Sequence, residues 1–193
     1  MIQRLEPDLR RHFLAVNEVE KLLRKITHAL DDGGVPYCVI GGNAVAAWVS
    51  TVDPGATRTT KDVDILLREC DLEIAKQAAA KVELDYYEVL DVPMFLPRLN
   101  PNPKTGAHVL LAGKRVRETD LLPAPDVAES MRLTEGFNVV DLGALVRMKL
   151  TSHRLRDQVH IKDMLELSLI TPEIEHSLPD ELKKRMNVIR VTP

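Results

Sequence analysis

Two aspartates open an apolar run: Asp62-Val63-Asp64 leads directly into Ile65-Leu66-Leu67. A short β-prone segment of this kind reads as a buried strand. On a strand, residues i and i+2 face the same way, so both carboxylates stand side by side at its mouth. Like charges at that spacing repel unless a cation lies between them. The oxygen donors suit Mg²⁺, which bridges phosphates. Two solvent-facing acids at a strand start are the plainer explanation of the pair taken alone.

A second unit precedes this strand. Tyr37-Cys38-Val39-Ile40 is β-prone and ends on Gly41-Gly42, after which Asn43 to Trp48 is Ala-rich and helical in character. Asn43 is the expected N-cap. Paired glycines let a ligand approach the backbone, and free amides at a helix start attract anions. A tight strand-to-helix turn would also need those glycines.

Around these units, apolar residues recur at helical spacing from Leu14 to Leu30, and Gly33-Gly34 ends that helix. Ser50 to Lys61 reads as a loop and Asp71 to Val82 as a helix. Tyr86 to Leu90 and Ala107 to Leu111 read as strands, the latter turning at Gly113. The four prolines of Pro93 to Pro103 imply irregular chain. Phe137 to Val140 is a last strand. Helices follow from Asp141 to about His153, from Asp157 to Ile170 and from Leu178 to Ile189. The order argues an α/β fold: a small mixed sheet flanked by helices, with C-terminal helices. We expect a single domain over 1–193, with a core at 14–116, a helical part at 137–190 and any linker near 117–136.

Charge limits the partners. There are 26 Lys and Arg against 29 Asp and Glu, a net −3, so no global basic field recruits nucleic acid. Residues 147–162 are locally basic, with Arg147, Lys149, Arg154, Arg156 and Lys162 against Asp157, and form a candidate anion-facing surface or a solvated helix face. Cys38 and Cys70 offer no metal-ligand spacing; both sit beside apolar runs and are expected to be buried free thiols, as in a reducing cytoplasm. Met1 to Arg11 lacks the apolar run of a signal peptide, and no stretch suits a membrane span. Trp48 and Met148 are expected in the core.

Taken together, Gly41-Gly42-Asn43-Ala44 followed by Arg58-Thr59-Thr60-Lys61-Asp62-Val63-Asp64 resembles the nucleotidyltransferase superfamily of DNA polymerase β. It is most similar to the minimal nucleotidyltransferases and to the abortive-infection (AbiEii-like) type IV toxin nucleotidyltransferases. Leu145-Val146-Arg147-Met148-Lys149-Leu150, then Arg154, Arg156-Asp157 and Asp163, resembles their C-terminal part. The resemblance covers residues 35–68 closely and 140–168 more loosely.

It implies a nucleotidyltransferase fold and the transfer of a nucleoside monophosphate from an NTP to an acceptor. Asp62 and Asp64 would hold Mg²⁺ or Mn²⁺. Gly41, Gly42, Asn43, Arg58, Thr60 and Lys149 would bind the nucleotide. The acceptor would be a protein hydroxyl, tRNA or a small molecule, and a toxin of this kind would have a cognate antitoxin. Members of the superfamily carry a third carboxylate on a later strand, where this chain has His108. Three explanations stand: His108 serves as base or metal ligand; Glu88, Asp91 or Glu118 substitutes; or the site is a degraded one that binds nucleotide or a partner without chemistry. His160 is a second departure, standing where related proteins carry an acid. A purely structural α/β domain is the remaining alternative.

Overall fold

The computed structural model describes residues 9–134 and 136–192. Residues 1–8, most of the segment read for a leader, lie outside these, as do the outer ends of the expected 1–193 domain.

Helix α1 (Leu9–Asp32) leads into strand β1 (Tyr37–Val39). Its end is fixed by Gly34, whose φ of +63° lets the chain reverse and Val35 N–H bond back to Leu30. Helix α2 (Gly41–Ser50) follows, then β2 (Val63–Leu67), α3 (Leu72–Lys81), β3 (Leu84–Val89), β4 (Val92–Pro97), β5 (Ala107–Leu111), β6 (Ser130–Arg132) and β7 (Asn138–Val140). Four helices close the chain: α4 (Leu142–Ser152), α5 (Leu155–Glu166), α6 (Pro172–Ser177) and α7 (Asp180–Val191).

The strands form one mixed sheet in the order β3-β4-β5-β2-β1-β7-β6. β1 is antiparallel to β2, whereas β2 runs parallel to β5 and β1 to β7. Alternation along β2 and β5 decides what each face buries. Val63, Ile65, Ala107 and Val109 pack with Ile26 and Leu30 of α1 and with the alanines of α3. Leu66 and Leu110 point the other way, into a core built with α2, α4, α5 and α7. Residues from 14–116 and 137–190 share this second core, and both contribute strands to the sheet.

Several expectations need correction. Pro93 and Pro97 lie within a strand, not in irregular chain. The β5 ladder engages only Met94 and Phe95, so neither proline has to supply an N–H to it. Asn43 does not cap α2; Ile40 occupies that place without a side-chain bond, and the helix begins two residues earlier. Cys70 is exposed, on a short turn after β2; only Cys38 is buried, and burial pushes its thiol pKa up to about 12. Strand β6 and helix α6 were not anticipated. Trp48 packs on the core as expected and donates its indole N–H to the Val140 carbonyl at 2.9 Å; Met148 also packs there.

Candidate active site

At the junction of β1 and α2 the backbone and the carboxylate of Asp64 are in close register. Ile40 N–H bonds to the Asp64 carbonyl at 3.0 Å, and the chain then turns at Gly41 with φ of +69°. A Cβ on Gly41 would stand 2.0 Å from Asp64 Oδ2, so only glycine lets the carboxylate rest against this turn. Gly42 has a similar need, since its Cβ would stand 2.7 Å from Thr60 Oγ1. With no side chain capping α2, its first amides keep their donor capacity at the groove floor.

Asn43 and Thr60 act on Asp62 through its backbone. Asn43 Nδ2 donates to the Asp62 carbonyl at 2.9 Å and Thr60 Oγ1 to the same oxygen at 3.3 Å. Both side chains therefore hold the strand mouth in place. The Asp62 carboxylate faces Arg156 at 3.8 Å, and both groups are well exposed, so the pair is weak.

His108 is the β5 partner of Asp64 in the parallel ladder. Its Nδ1 lies 3.4 Å from Asp64 Oδ1. The hydrogen bond to Asp64 raises the imidazole pKa above its ordinary value, burial opposes this, and the charges of Asp64 and Asp62 add to it. Glu88, Asp91 and Glu118, the possible substitutes for a third acid, do not line the groove.

The C-terminal helices supply the opposite wall. Lys149 of α4, 7% exposed, bonds through Nζ to Asp157 Oδ1 at 3.0 Å, and Arg154 Nε reaches Asp157 Oδ2 at 2.9 Å. Burial works against the Asp157 charge, but these two cations outweigh it and bring its pKa to about 2. Arg58 forms a bidentate pair with Asp163 of α5, at 2.5 and 2.9 Å. The cations of the basic stretch 147–162 are thus largely engaged within the protein: Arg147 pairs with Glu129, and Lys162 bonds to the Thr192 carbonyl. His160 is buried in the same wall with Nδ1 unpartnered, and burial together with the Lys149 charge lowers its pKa to about 4.

One groove collects Gly41, Gly42, Arg58, Thr60, Asp62, Asp64, His108 and Lys149. Asn43 is the sequence-derived candidate that does not line it. A smaller chamber of about 180 Å³ adjoins the groove and shares Gly41, Asp64, Lys149, Arg154 and Asp157 with it. Its outer wall is the segment 116–124, between β5 and β6, most of which lies in the stretch where a linker was expected. Nothing in that segment's composition signals a site.

Among the described residues no three His, Cys, Asp or Glu side chains form a ready-made metal cage. Mg²⁺ is commonly held by one or two carboxylates together with substrate phosphates. The oxygen donors of Asp62 and Asp64, set against an uncapped helix start, fit such an ion.

No protein-family model matches the chain, and no curated protein matches its sequence. Solved structures do match its shape. A structure of ANT(2'')-Ia in complex with adenylyl-2''-tobramycin is 16% identical, with a TM-score of 0.56 over 90% of this chain and 97% of that one. An antigenic nucleotidyltransferase-like protein from Paracoccidioides brasiliensis is 14% identical, with a TM-score of 0.55 over 90% and 88%.

Proposed function

We propose that this chain, which has a nucleotidyltransferase fold, works as a metal-dependent nucleotidyltransferase, moving a nucleoside monophosphate from an NTP to an acceptor hydroxyl. The observation that carries this is the meeting of the Gly41-Gly42 turn, Asp62, Asp64 and His108 in one groove, with the Asp64 carboxylate resting on the turn.

In this reading residues 14–116 form the nucleotide-holding core and 137–190 the helical wall of a single nucleotidyltransferase-like domain. The α2 amides take phosphate oxygens. Lys149 and Arg58 supply positive charge to the triphosphate, Lys149 as a point charge and Arg58 as a fork once it exchanges Asp163 for phosphate. Asn43 and Thr60 hold Asp62 in place. Asp62 and Asp64 would hold Mg²⁺ or Mn²⁺, which when bound neutralises charge on the phosphates. The acceptor oxygen bonds to the α-phosphorus as the bond to the bridging oxygen breaks, releasing pyrophosphate. The acceptor's proton passes to His108, the nearest base to Asp64.

The acceptor belongs to the hydroxyl-bearing class: a protein side chain, a tRNA end or a small molecule such as the tobramycin named with ANT(2'')-Ia. Closeness to the AbiEii-like toxins, with an antitoxin as partner and the cytoplasm as location, is part of the same proposal. Among the described residues no helix is long and apolar enough to cross a membrane.

A second reading has its own support. His108 in place of a third carboxylate, and Lys149 already paired with Asp157, favour a site that binds nucleotide without chemistry. Incubation with each labelled NTP, Mg²⁺ and an acceptor mixture separates the two. Pyrophosphate release with label transfer establishes the transferase; tight NTP binding without release establishes the binding protein.

A further inference from the structure

The chain carries a net charge of −3, and most of its described cations are paired. Among the described residues, Lys25, Lys61, Lys81, Lys104, Arg115 and Arg117 have neither an acidic partner nor a side-chain hydrogen bond. Three of these meet in one place. Lys25 of α1, Lys61 of the loop before β2 and Lys104 of the turn before β5 line a groove of about 580 Å³ on the α1 side of the sheet, and all three are exposed. The single acid on that groove, Glu18, is bonded to Lys21 at 2.8 Å. Like charges gathered from three separate segments repel one another, a cost that an anion among them removes. The lining is otherwise largely apolar, with Val19, Leu22, Val63, Leu84 and Pro97. His12 also lines the groove; it is exposed, and its ring stands edge-on to Phe13 at 5.8 Å.

We propose that this groove docks a single strand of nucleic acid, on a surface separate from the catalytic groove. A strand carries one negative charge per nucleotide, so successive phosphates can meet successive lysines, each acting as a point charge. Its bases need apolar surface and rings to stack on, which the aliphatic lining and His12 supply. An acidic protein segment would satisfy the lysines as well; the exposed His12 ring favours the strand, because flat bases stack on it. Thr59, Thr60 and Lys61 line both this groove and the one that holds Asp62 and Asp64. A strand in the groove therefore lies beside the carboxylate pair. Docking needs neither metal nor NTP, so it goes beyond the transferase reading and stands without it.

The test is fluorescence anisotropy with a labelled oligouridylate about 12 nucleotides long, without metal or NTP. Wild-type protein is expected to bind it with a Kd of about 10–100 µM. Three lysine–phosphate contacts, at about −0.7 each, give a slope of log affinity against log salt of about −2. Lys25→Ala with Lys104→Ala should bring the slope to about −0.7 and weaken binding at least about tenfold. Lys81→Ala with Lys184→Ala changes the net charge equally, at exposed positions that do not line the groove, and should leave both quantities unchanged. Equal losses in the two double variants would mean a diffuse field and overturn the docking groove. So would a wild-type Kd above about 1 mM at low salt. Inorganic polyphosphate and poly-glutamate of the same charge, added as competitors, should each bind at least about fivefold more weakly than the RNA. Parity with polyphosphate would remove any part for the bases, and parity with poly-glutamate would assign the groove to an acidic protein segment; either overturns the proposal. Nucleotide transfer is measured separately. Docking without transfer leaves this surface standing while the transferase reading fails, and transfer without docking does the reverse.

Discussion

Gly41→Ala tests the contact on which the site depends. At φ of +69°, alanine is strained by about 1 kcal/mol whatever surrounds it. The new methyl would also lie 2.0 Å from Asp64 Oδ2, 2.8 Å from its Cγ and 2.9 Å from its Cβ. Non-bonded heavy atoms settle near about 3.5 Å, so the carboxylate or the turn has to give way by about 1.5 Å. Overpacking of this order adds about 1–3 kcal/mol. The total, about 3 kcal/mol, corresponds to a fall of roughly 6–12 °C in Tm for a chain of this size. Gly34→Ala is the matched control. Its φ is +63°, yet nothing lies within 4 Å of the added Cβ. It carries the backbone strain alone, about 1 kcal/mol, a fall of roughly 2–4 °C. Thermal melts and Mg²⁺–NTP titrations are then compared. Gly34→Ala should keep wild-type affinity, whereas Gly41→Ala should lose about tenfold or more, the effect of one misplaced charge-assisted contact. If the two variants melt alike and Gly41→Ala binds Mg²⁺–NTP as wild type does, Asp64 does not depend on this turn and the argument fails.

Four further outcomes are expected. Mg²⁺ with NTP should raise the Tm, and Asp62→Asn with Asp64→Asn should abolish that shift; a full shift in the double variant would put the ion elsewhere. Lys149→Ala leaves Asp157 buried with Arg154 as its remaining cation and should cost about 3–5 kcal/mol in chemical denaturation; a loss below about 1 kcal/mol would show that Arg154 alone suffices. Acid should destabilise the fold in two stages. His160 has a folded pKa depressed from 6.5 to about 4, so its contribution is whole above about pH 6.5 and is lost as pH falls towards 4. Asp157, depressed from 3.8 to about 2, loses its contribution below that. His160→Gln should flatten the first stage in Tm against pH, and an unchanged profile would assign that stage to another group. Finally, NMR titration should find His108 above an ordinary imidazole pKa, and Mg²⁺ with NTP should lower it as a divalent ion displaces the imidazolium; no change on adding metal would place His108 away from the ion.

How much of this was legible beforehand depended on the range of the interactions involved. The Asp62-Val63-Asp64 strand, the Gly41-Gly42 turn and the end of α1 at Gly33-Gly34 follow from local rules: side chains alternate along a strand, and a positive φ demands glycine. The fold class followed from the order of such elements, whereas His108 was expected beside the carboxylates only because the resemblance puts a third acid at that place. Strand β4 was hidden because proline statistics describe the chain alone, whereas the tolerance of Pro93 and Pro97 depends on how far β5 pairs alongside. Asn43 looked like a cap because its type favours caps, yet the chain turned earlier and its amide found the Asp62 carbonyl, 19 residues away. The run of positive charge at 147–162 was read correctly as composition, but its effect was decided by partners outside the stretch or a helix apart. Glu129 and Asp62 meet Arg147 and Arg156, Asp157 of α5 takes Lys149 of α4, and Asp163 is committed to Arg58. The sequence by itself determined that two carboxylates share one face of β2 behind a paired-glycine turn. Only the tertiary structure decided which charges remain free and that a loop after β5 would wall a chamber beside Asp64, because pairing and enclosure arise from segments distant in the chain.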